Sequence, residues 1–257
     1  PQAHLRLSAL YLQTGRYDDT IAEANATLSS NLQSAEPHLM LGRAYAFKLQ
    51  FDAAIGHLDK YVSLNPDVLQ GYYQLGLCWL AKRDFKTARQ KFQKAEQLKP
   101  KQAGSATALG IINHLDGNFQ QALTYLERAM SLGTETSKTF VDFLIANVHL
   151  SRQKFVPAEK YLKDATGFMV RFQTDNLNLT EHFSKAEPLS HAYTNLAVLY
   201  LSTGWRDKAI EACDLGLKYH AANPIALYIK GHAFKWKREF DQAIEQFQQA
   251  TRVAPQF

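Results

Sequence analysis

Residues 41–54 read Leu41-Gly42-Arg43-Ala44-Tyr45-Ala46-Phe47-Lys48-Leu49-Gln50-Phe51-Asp52-Ala53-Ala54. Thirty-four positions on, residues 75–88 read Leu75-Gly76-Leu77-Cys78-Trp79-Leu80-Ala81-Lys82-Arg83-Asp84-Phe85-Lys86-Thr87-Ala88. The Leu-Gly pair, a large ring three residues later, and then phenylalanine and alanine return in the same places. Self-similarity at such a period is the signature of a stacked repeat, whose units cannot bury their apolar faces alone.

Working outward, the small residue recurs at Thr20, Ala54, Ala88, Ala122, Ala158, Ala209 and Ala243, with steps of 34, 34, 34, 36, 51 and 34. Three residues before it stand Tyr17, Phe51, Phe85, Phe119, Phe155 and Phe240. The sixth unit departs, with Trp205 one place early beside Arg206, and the other columns keep their phase. Upstream lie Leu7-Ser8, Leu41-Gly42, Leu75-Gly76, Leu109-Gly110, Ile145-Ala146 and Leu196-Ala197, followed by Tyr11, Tyr45, Trp79, Asn113, His149 and Tyr200. The seventh unit keeps Gly231 and Phe234. Pro66, Pro100 and Pro255 stop second helices, because proline lacks a donor and pushes its predecessor out of the α region. Gly15, Gly117 and Gly204 fit helix C-terminal ends, where a left-handed conformation is easy for glycine.

The pattern predicts an all-α chain, an α-solenoid wound as a right-handed superhelix of seven helix-turn-helix units. The units fall at 1–34, 35–68, 69–102, 103–136, 139–172, 190–223 and 224–257. Repeats one to five thus occupy 1–172 and repeats six and seven 190–257. Between them, 173–189 is an irregular insertion in which Gln173-Thr174-Asp175-Asn176-Leu177-Asn178 carries turn formers. A longer second helix in unit five, a loop, and a short helix from Thr180 to Ala186 ahead of Pro188 would account for it. It reads as a tolerated surface insertion or as a contact or hinge element.

This pattern resembles the tetratricopeptide repeat, in which a large residue, Leu-Gly, Tyr, Ala, Phe and Pro are spaced over 34 residues. The resemblance covers nearly the whole chain and implies a protein that holds another protein rather than one that catalyses a reaction. It further implies that the first helices of successive units line a concave groove. Those positions hold Leu5, Ala9 and Leu12; Leu39, Arg43 and Phe47; Tyr73, Leu77 and Leu80; and Thr107, Ile111 and His114. They continue with Phe143, Asn147 and Leu150, then Thr194, Asn195 and Val198, and Tyr228, His232 and Trp236. The set is mostly apolar and aromatic, as interaction surfaces are, and Arg43, Tyr73, Tyr228 and Trp236 are of the types that dominate interfaces. A peptide or helix of a partner protein is the expected occupant.

One subset of the family captures C-terminal carboxylates with lysine, arginine and asparagine in three consecutive units. Here units five to seven supply Asn147 and Asn195, but Phe143, Ile225 and Ile229 fill the cationic positions, which argues against such capture. The asparagines would still hydrogen-bond the backbone of an extended ligand. The resemblance leaves a second role open, that of a self-assembling or docking module of a larger multidomain protein, such as an enzyme or a secretion or envelope-assembly component. Beyond Pro255 no polar helix covers the last repeat. A piece of a larger protein, or ends that pair into a homo-oligomer, is the expectation.

Composition bounds the rest. Apolar residues at 46% and charged ones at 21% suit a folded chain rather than a disordered one. No stretch approaches the roughly 18 apolar residues of a membrane span. Pro1-Gln2-Ala3-His4 has no basic start leading into an apolar segment, so a secretory signal is absent or already removed. The net charge of +5 gathers partly at Lys86, Arg89, Lys91, Lys94 and Lys99. That run reads as a solvated outer helix face, and without a base-reading motif beside it nucleic-acid binding is disfavoured.

Cys78 and Cys213, in the third and sixth repeats, stand too far apart for a bridge and read as small buried hydrophobes. His4 and His38 share one repeat column and read as packing residues. No HExxH, paired CxxC or Gly-rich phosphate loop occurs, so no catalytic residue, metal or cofactor is assigned. The Asn-x-Thr triplets at Asn25 and Asn178 matter only in a glycosylating pathway.

Overall fold

The computed structural model describes residues 2–30, 33–175 and 186–256. Among these residues the chain is all-α, with two compact units, Pro1–Leu132 and Gly133–Phe257. The first holds four hairpins: α1 (Gln2–Gln13) with α2 (Tyr17–Ser30), α3 (Glu36–Phe47) with α4 (Phe51–Leu64), α5 (Leu69–Ala81) with α6 (Phe85–Leu98), and α7 (Ala103–Leu115) with α8 (Phe119–Leu132). The second holds three: α9 (Glu135–Ser151) with α10 (Phe155–Asp175), α11 (Ala186–Ser202) with α12 (Arg206–Tyr219), and α13 (Pro224–Lys237) with α14 (Phe240–Val253). In six of the seven hairpins the second helix begins on the aromatic of the repeat column. In the sixth, α12 begins on Arg206, and Trp205 is its N-cap.

The turns inside the hairpins repeat one device. Gly15, Leu49, Arg83, Gly117, Gln153, Gly204 and Arg238 all have φ between +57° and +83°. One residue later, the N–H of Arg16, Gln50, Asp84, Asn118, Lys154, Trp205 and Glu239 donates to the carbonyl of Tyr11, Tyr45, Trp79, Asn113, His149, Tyr200 and Phe234 at 2.8–3.0 Å. This six-to-one bond with a left-handed residue before it is the Schellman arrangement, which satisfies carbonyls that the helix end leaves open. Glycine fills the left-handed position three times, and bulkier residues are held there four times by the same bond.

The Leu-Gly column sets how closely the two helices of a hairpin approach. A methyl placed on Gly42 would lie 2.5 Å from Leu58, on Gly76 2.7 Å from Phe92, on Gly110 2.7 Å from Leu126 and on Gly231 2.6 Å from Phe247. Where the column carries a larger residue, its counterpart shrinks: Ser8 stands in register with Ala24, and Ala197 with Cys213, all fully buried. The fifth hairpin keeps both Ala146 and Leu162, so the exchange is not strict.

Within each unit, a second helix also packs against the first helix of the hairpin that follows it. In the first unit Ala54, Ile55, Leu58 and Tyr61 of α4 form one core with Leu39 of α3 and Leu75 and Cys78 of α5. In the second unit a core runs from Ala146 of α9 through Leu162, Leu196, Leu199 and Cys213 to Ile229 and Ala233 of α13. Burial of such side chains contributes about 1.5–3 kcal/mol each. A polar tie joins α11 to α13: Asn223 Nδ2 donates to Ser190 Oγ (2.9 Å) and Thr194 Oγ1 (3.2 Å), while its Oδ1 accepts from the N–H of Ile225 and Ala226.

Helices α4, α6 and α14 end two residues before Pro66, Pro100 and Pro255. At 21 residues α10 is longer than the other second helices, and α11 starts at Ala186, ahead of Pro188. The loop and short helix expected over 176–185 lie outside the described residues.

Three glycine-to-alanine changes separate these roles in urea unfolding. Gly117→Ala, with no side chain nearby but φ +76°, lowers stability by about 1 kcal/mol from backbone strain alone. Gly76→Ala, against the Phe92 ring, lowers it by about 1–3 kcal/mol through overpacking. Gly56→Ala, exposed inside α4 with nothing in reach, raises it by about 0.5–1 kcal/mol. A destabilised Gly56→Ala or an unaffected Gly76→Ala would contradict this assignment.

Candidate protein-binding faces

The first helices of the hairpins divide their residues between the core and the open surface, and that division decides which expected groove residues are available. In the first unit Leu39 is 6% exposed, wedged among Ile55, Leu58 and Leu75, and Leu12 is equally buried. Both are core residues rather than groove residues. Tyr73 is half-buried: its ring lies edge-on to Phe92 at 5.5 Å and touches the backbone space left by Gly104, and burial pushes its hydroxyl pKa up. Ile111 of α7 is half-buried. Leu77 is exposed, as is Phe47, whose ring stacks on Tyr17 at 5.1 Å. Arg43 is half-buried and has no carboxylate or hydrogen-bond partner among the described residues.

In the second unit Phe143 and Leu150 of α9 pack against the core, and Thr194, buried on the Asn223 tie, leaves the set of surface residues. Asn147 and Asn195 are half-buried, and neither amide finds a partner among the described residues. Along α13, Tyr228, His232 and Trp236 recur every fourth position and form one stripe. Tyr228 and His232 meet edge-on at 4.6 Å over Phe247, and Tyr228 and Trp236 are 43% and 48% exposed. Exposed Val198 of α11 belongs to the same unit.

The chemistry elsewhere is structural. Lys48 pairs with Asp18, Lys82 with Asp52, and Lys237 with Asp207 at 2.9 Å, each tying the end of a first helix to the start of the preceding second helix. Such exposed pairs contribute little to stability. Within the basic run, Arg89 is held by Asp116 at 2.5 Å and by Asn113, while Lys91 lies 3.8 Å from Asp59. Part of that charge is thus already answered by carboxylates. Burial pushes the free thiols of Cys78 and Cys213 up to about 11 and about 12, so neither is a thiolate near neutrality. Among the described residues, no three His, Cys, Asp or Glu side chains converge as a metal site would require, and no helix is long and apolar enough to cross a membrane.

Sequence reasoning missed a cleft at the turn edge of the sixth and seventh hairpins. It is an open depression of about 690 Å³ lined by Trp205 and Trp236. Its one signal in the sequence was the displacement of Trp205 from the aromatic column.

Stacked helical hairpins with exposed apolar side chains on their first helices define a helical-repeat protein. A tetratricopeptide repeat profile matches residues 39–103, and a second profile of the same description matches 190–222 and 225–257, together about half of the chain. The chain belongs to the tetratricopeptide-repeat proteins, a family that mediates protein–protein interaction.

Among solved structures it is similar to the APC/C hetero-tetramer Cut9-Hcn1, at 16% identity and a TM-score of 0.76, over 97% of this chain and 46% of that one. It therefore spans about half the length of that relative. Pseudomonas aeruginosa PilF matches at 16% identity and a TM-score of 0.68, over 87% and 93% of the two chains. The C-terminal part of a repeat-containing protein from Cytophaga hutchinsonii matches at 13% and 0.64, over 98% and 96%. Identities this low show the fold alone.

The histidines make stability depend on pH. His38 Nδ1 lies 3.1 Å from His57 Nδ1, so one ring donates and the other accepts, and a proton on the acceptor breaks the bond. Burial first, and then neighbouring positive charge at His38 and His232, lowers the pKa of His38, His57, His114 and His232 from 6.5. With folded values below unfolded ones, their contribution is complete above about pH 6.5 and is lost as pH falls through the folded values. Unfolding free energy should therefore decline on acidification from about pH 7 to 5, and His57→Gln should flatten that decline. An unchanged slope in the variant would show that the His38–His57 pair is not its source.

Proposed function

We propose that this chain is a non-catalytic scaffold or adaptor that holds a segment of a partner protein against the first helices of its hairpins. The observation that carries the reading is the run of exposed apolar and aromatic side chains on those helices: Phe47 and Leu77 in the first unit, Val198, Tyr228 and Trp236 in the second. Beside them sit the unanswered polar groups of Arg43, Asn147 and Asn195, suited to a partner's carboxylate or backbone. Interfaces combine apolar anchors with a few such polar groups, and affinity near micromolar, about 8 kcal/mol, suits a transient adaptor.

A photo-crosslinking residue placed at Leu77 or Tyr228 should capture a partner that the same residue at Lys94, on the outer helix α6, does not. Leu77→Glu with Tyr228→Ala should abolish capture while leaving the helical circular-dichroism signal intact. Equal capture from Lys94, or capture untouched by the double variant, would move the working surface elsewhere.

A second reading, assembly, draws support from the end hairpins. Phe240, Ile244 and Val253 of α14 are exposed in columns where Phe51 and Ile55 meet the next hairpin, and Leu7 and Leu10 of α1 are exposed in the columns of fully buried Leu41 and Ala44. Pairing of copies through these faces gives a light-scattering mass that rises with concentration and falls back in Ile244→Glu. A mass of one chain at every concentration removes self-pairing.

A further inference from the structure

One notch recurs along the turn edge of the chain, between the start of a second helix and the end of the next first helix, and it is finished differently each time. In the first hairpin pair, Tyr17 and Phe47 close it by stacking at 5.1 Å with planes 9° apart. In the next pair Ala81 stands where Phe47 stood, leaving a space of about 300 Å³ lined by Leu49, Gln50, Phe51 and Asp52 and bounded by Lys82. Between the sixth and seventh hairpins the Phe47 column holds Trp236, but the aromatic that would close on it has moved back to Trp205. Arg206 occupies its place, and about 690 Å³ stays open between them.

That opening is chemically distinct. The two tryptophans, of three in the chain, are each 48% exposed. Trp205 is backed by Tyr200, with ring centroids 5.9 Å apart, and by Lys208, whose Nζ lies 3.7 Å from the indole centroid. Lys237 is neutralised by Asp207 and Glu239, both at 2.9 Å. Arg206 and Arg238 have no carboxylate partner among the described residues, while Lys208, over Trp205, also feels the charge of Glu159. The cleft therefore presents two indoles, two arginines without a carboxylate partner and Lys208 around an open depression of about 690 Å³.

We propose that this cleft is a second binding site, sharing only Trp236 with the first-helix faces, that takes an acidic peptide segment of a partner protein. A single apolar side chain would sit between Trp205 and Trp236, with flanking carboxylates on Arg206, Lys208 and Arg238. Arginine forks match carboxylates in two-point contacts, and indoles supply rigid apolar area at little entropic loss. Asp207 among the lining residues is answered by Lys237, which leaves the cleft net positive, and a space of this size holds a few side chains rather than a tract of stacked bases.

Two of the three tryptophans line the site, so their emission reads it directly. The full chain is titrated with a synthetic peptide of glutamates flanking one phenylalanine. Parallel titrations use the same peptide with alanine for phenylalanine, the same with lysine for glutamate, and a single-stranded oligothymidylate. The expected result is a saturable change with the Glu–Phe peptide that weakens about tenfold or more in R206E/K208E. The alanine peptide binds more weakly, the lysine peptide does not bind, and Leu77→Glu leaves the titration unchanged.

Lys208→Gln and Trp236→Ala, checked by circular dichroism, give the same reading if the double reversal fails to fold. Absence of saturation with the wild-type chain, or equal affinity in the folded variants, overturns the proposal. Binding of the oligothymidylate where the peptide fails assigns the cleft to nucleic acid and also overturns it. Because Leu77 lies on a first-helix face in the other unit, loss of either site leaves the other measurable.

Discussion

A helix of about a dozen residues is marginal in water, because nucleation is costly and few hydrogen bonds follow it. Everything in this chain answers that constraint. Each helix gains stability by bringing its backbone close to a partner, and the glycine of the Leu-Gly pair is where closeness is decided: Leu58, Phe92, Leu126 and Phe247 occupy space that a methyl would need. Once two helices are that close, their remaining apolar edges can be covered only by the next hairpin. The cores that run from α3 to α5 and from α9 to α13 are the result. Conformation and stacking are therefore one problem with one solution, repeated.

The repetition explains what could be read from the residues. The small column, the ring that starts each second helix, the prolines and the turn glycines act locally, within a residue or two of where they sit, and each appears where its spacing puts it. Availability of the first-helix residues was less legible, because it depends on neighbours. Leu39 and Phe47 lie on the same helix, yet one is wedged beside Leu58 and the other stands open over Tyr17. Thr194 was spaced like a surface residue and instead completes a polar tie whose other half, Asn223, lies a repeat away. The shift of Trp205 could be seen in the sequence as a missed beat. That it leaves a cleft opposite Trp236 depends on the next hairpin.

The same logic separates framework from function. Positions where all the hairpins agree, such as the left-handed turn residue and its Schellman bond, hold the stack. Positions where hairpins disagree leave some apolar and charged side chains exposed. Leu77 and Trp236, both exposed, are two such positions. The family accommodates unrelated partners because its framework asks nothing of these positions.

The Asn223 tie has a consequence for how the chain comes apart. A terminal hairpin held by apolar contact alone could peel away gradually, each lost contact being replaced by water. Peeling α13 from α11 instead breaks both bonds of the Asn223 amide nitrogen at once, and the amide whose oxygen caps α13 loses the contacts that hold its orientation. The last two hairpins should then melt as a single cooperative block, and amide hydrogens in α11 and α13 should exchange with one shared opening rather than in a frayed gradient.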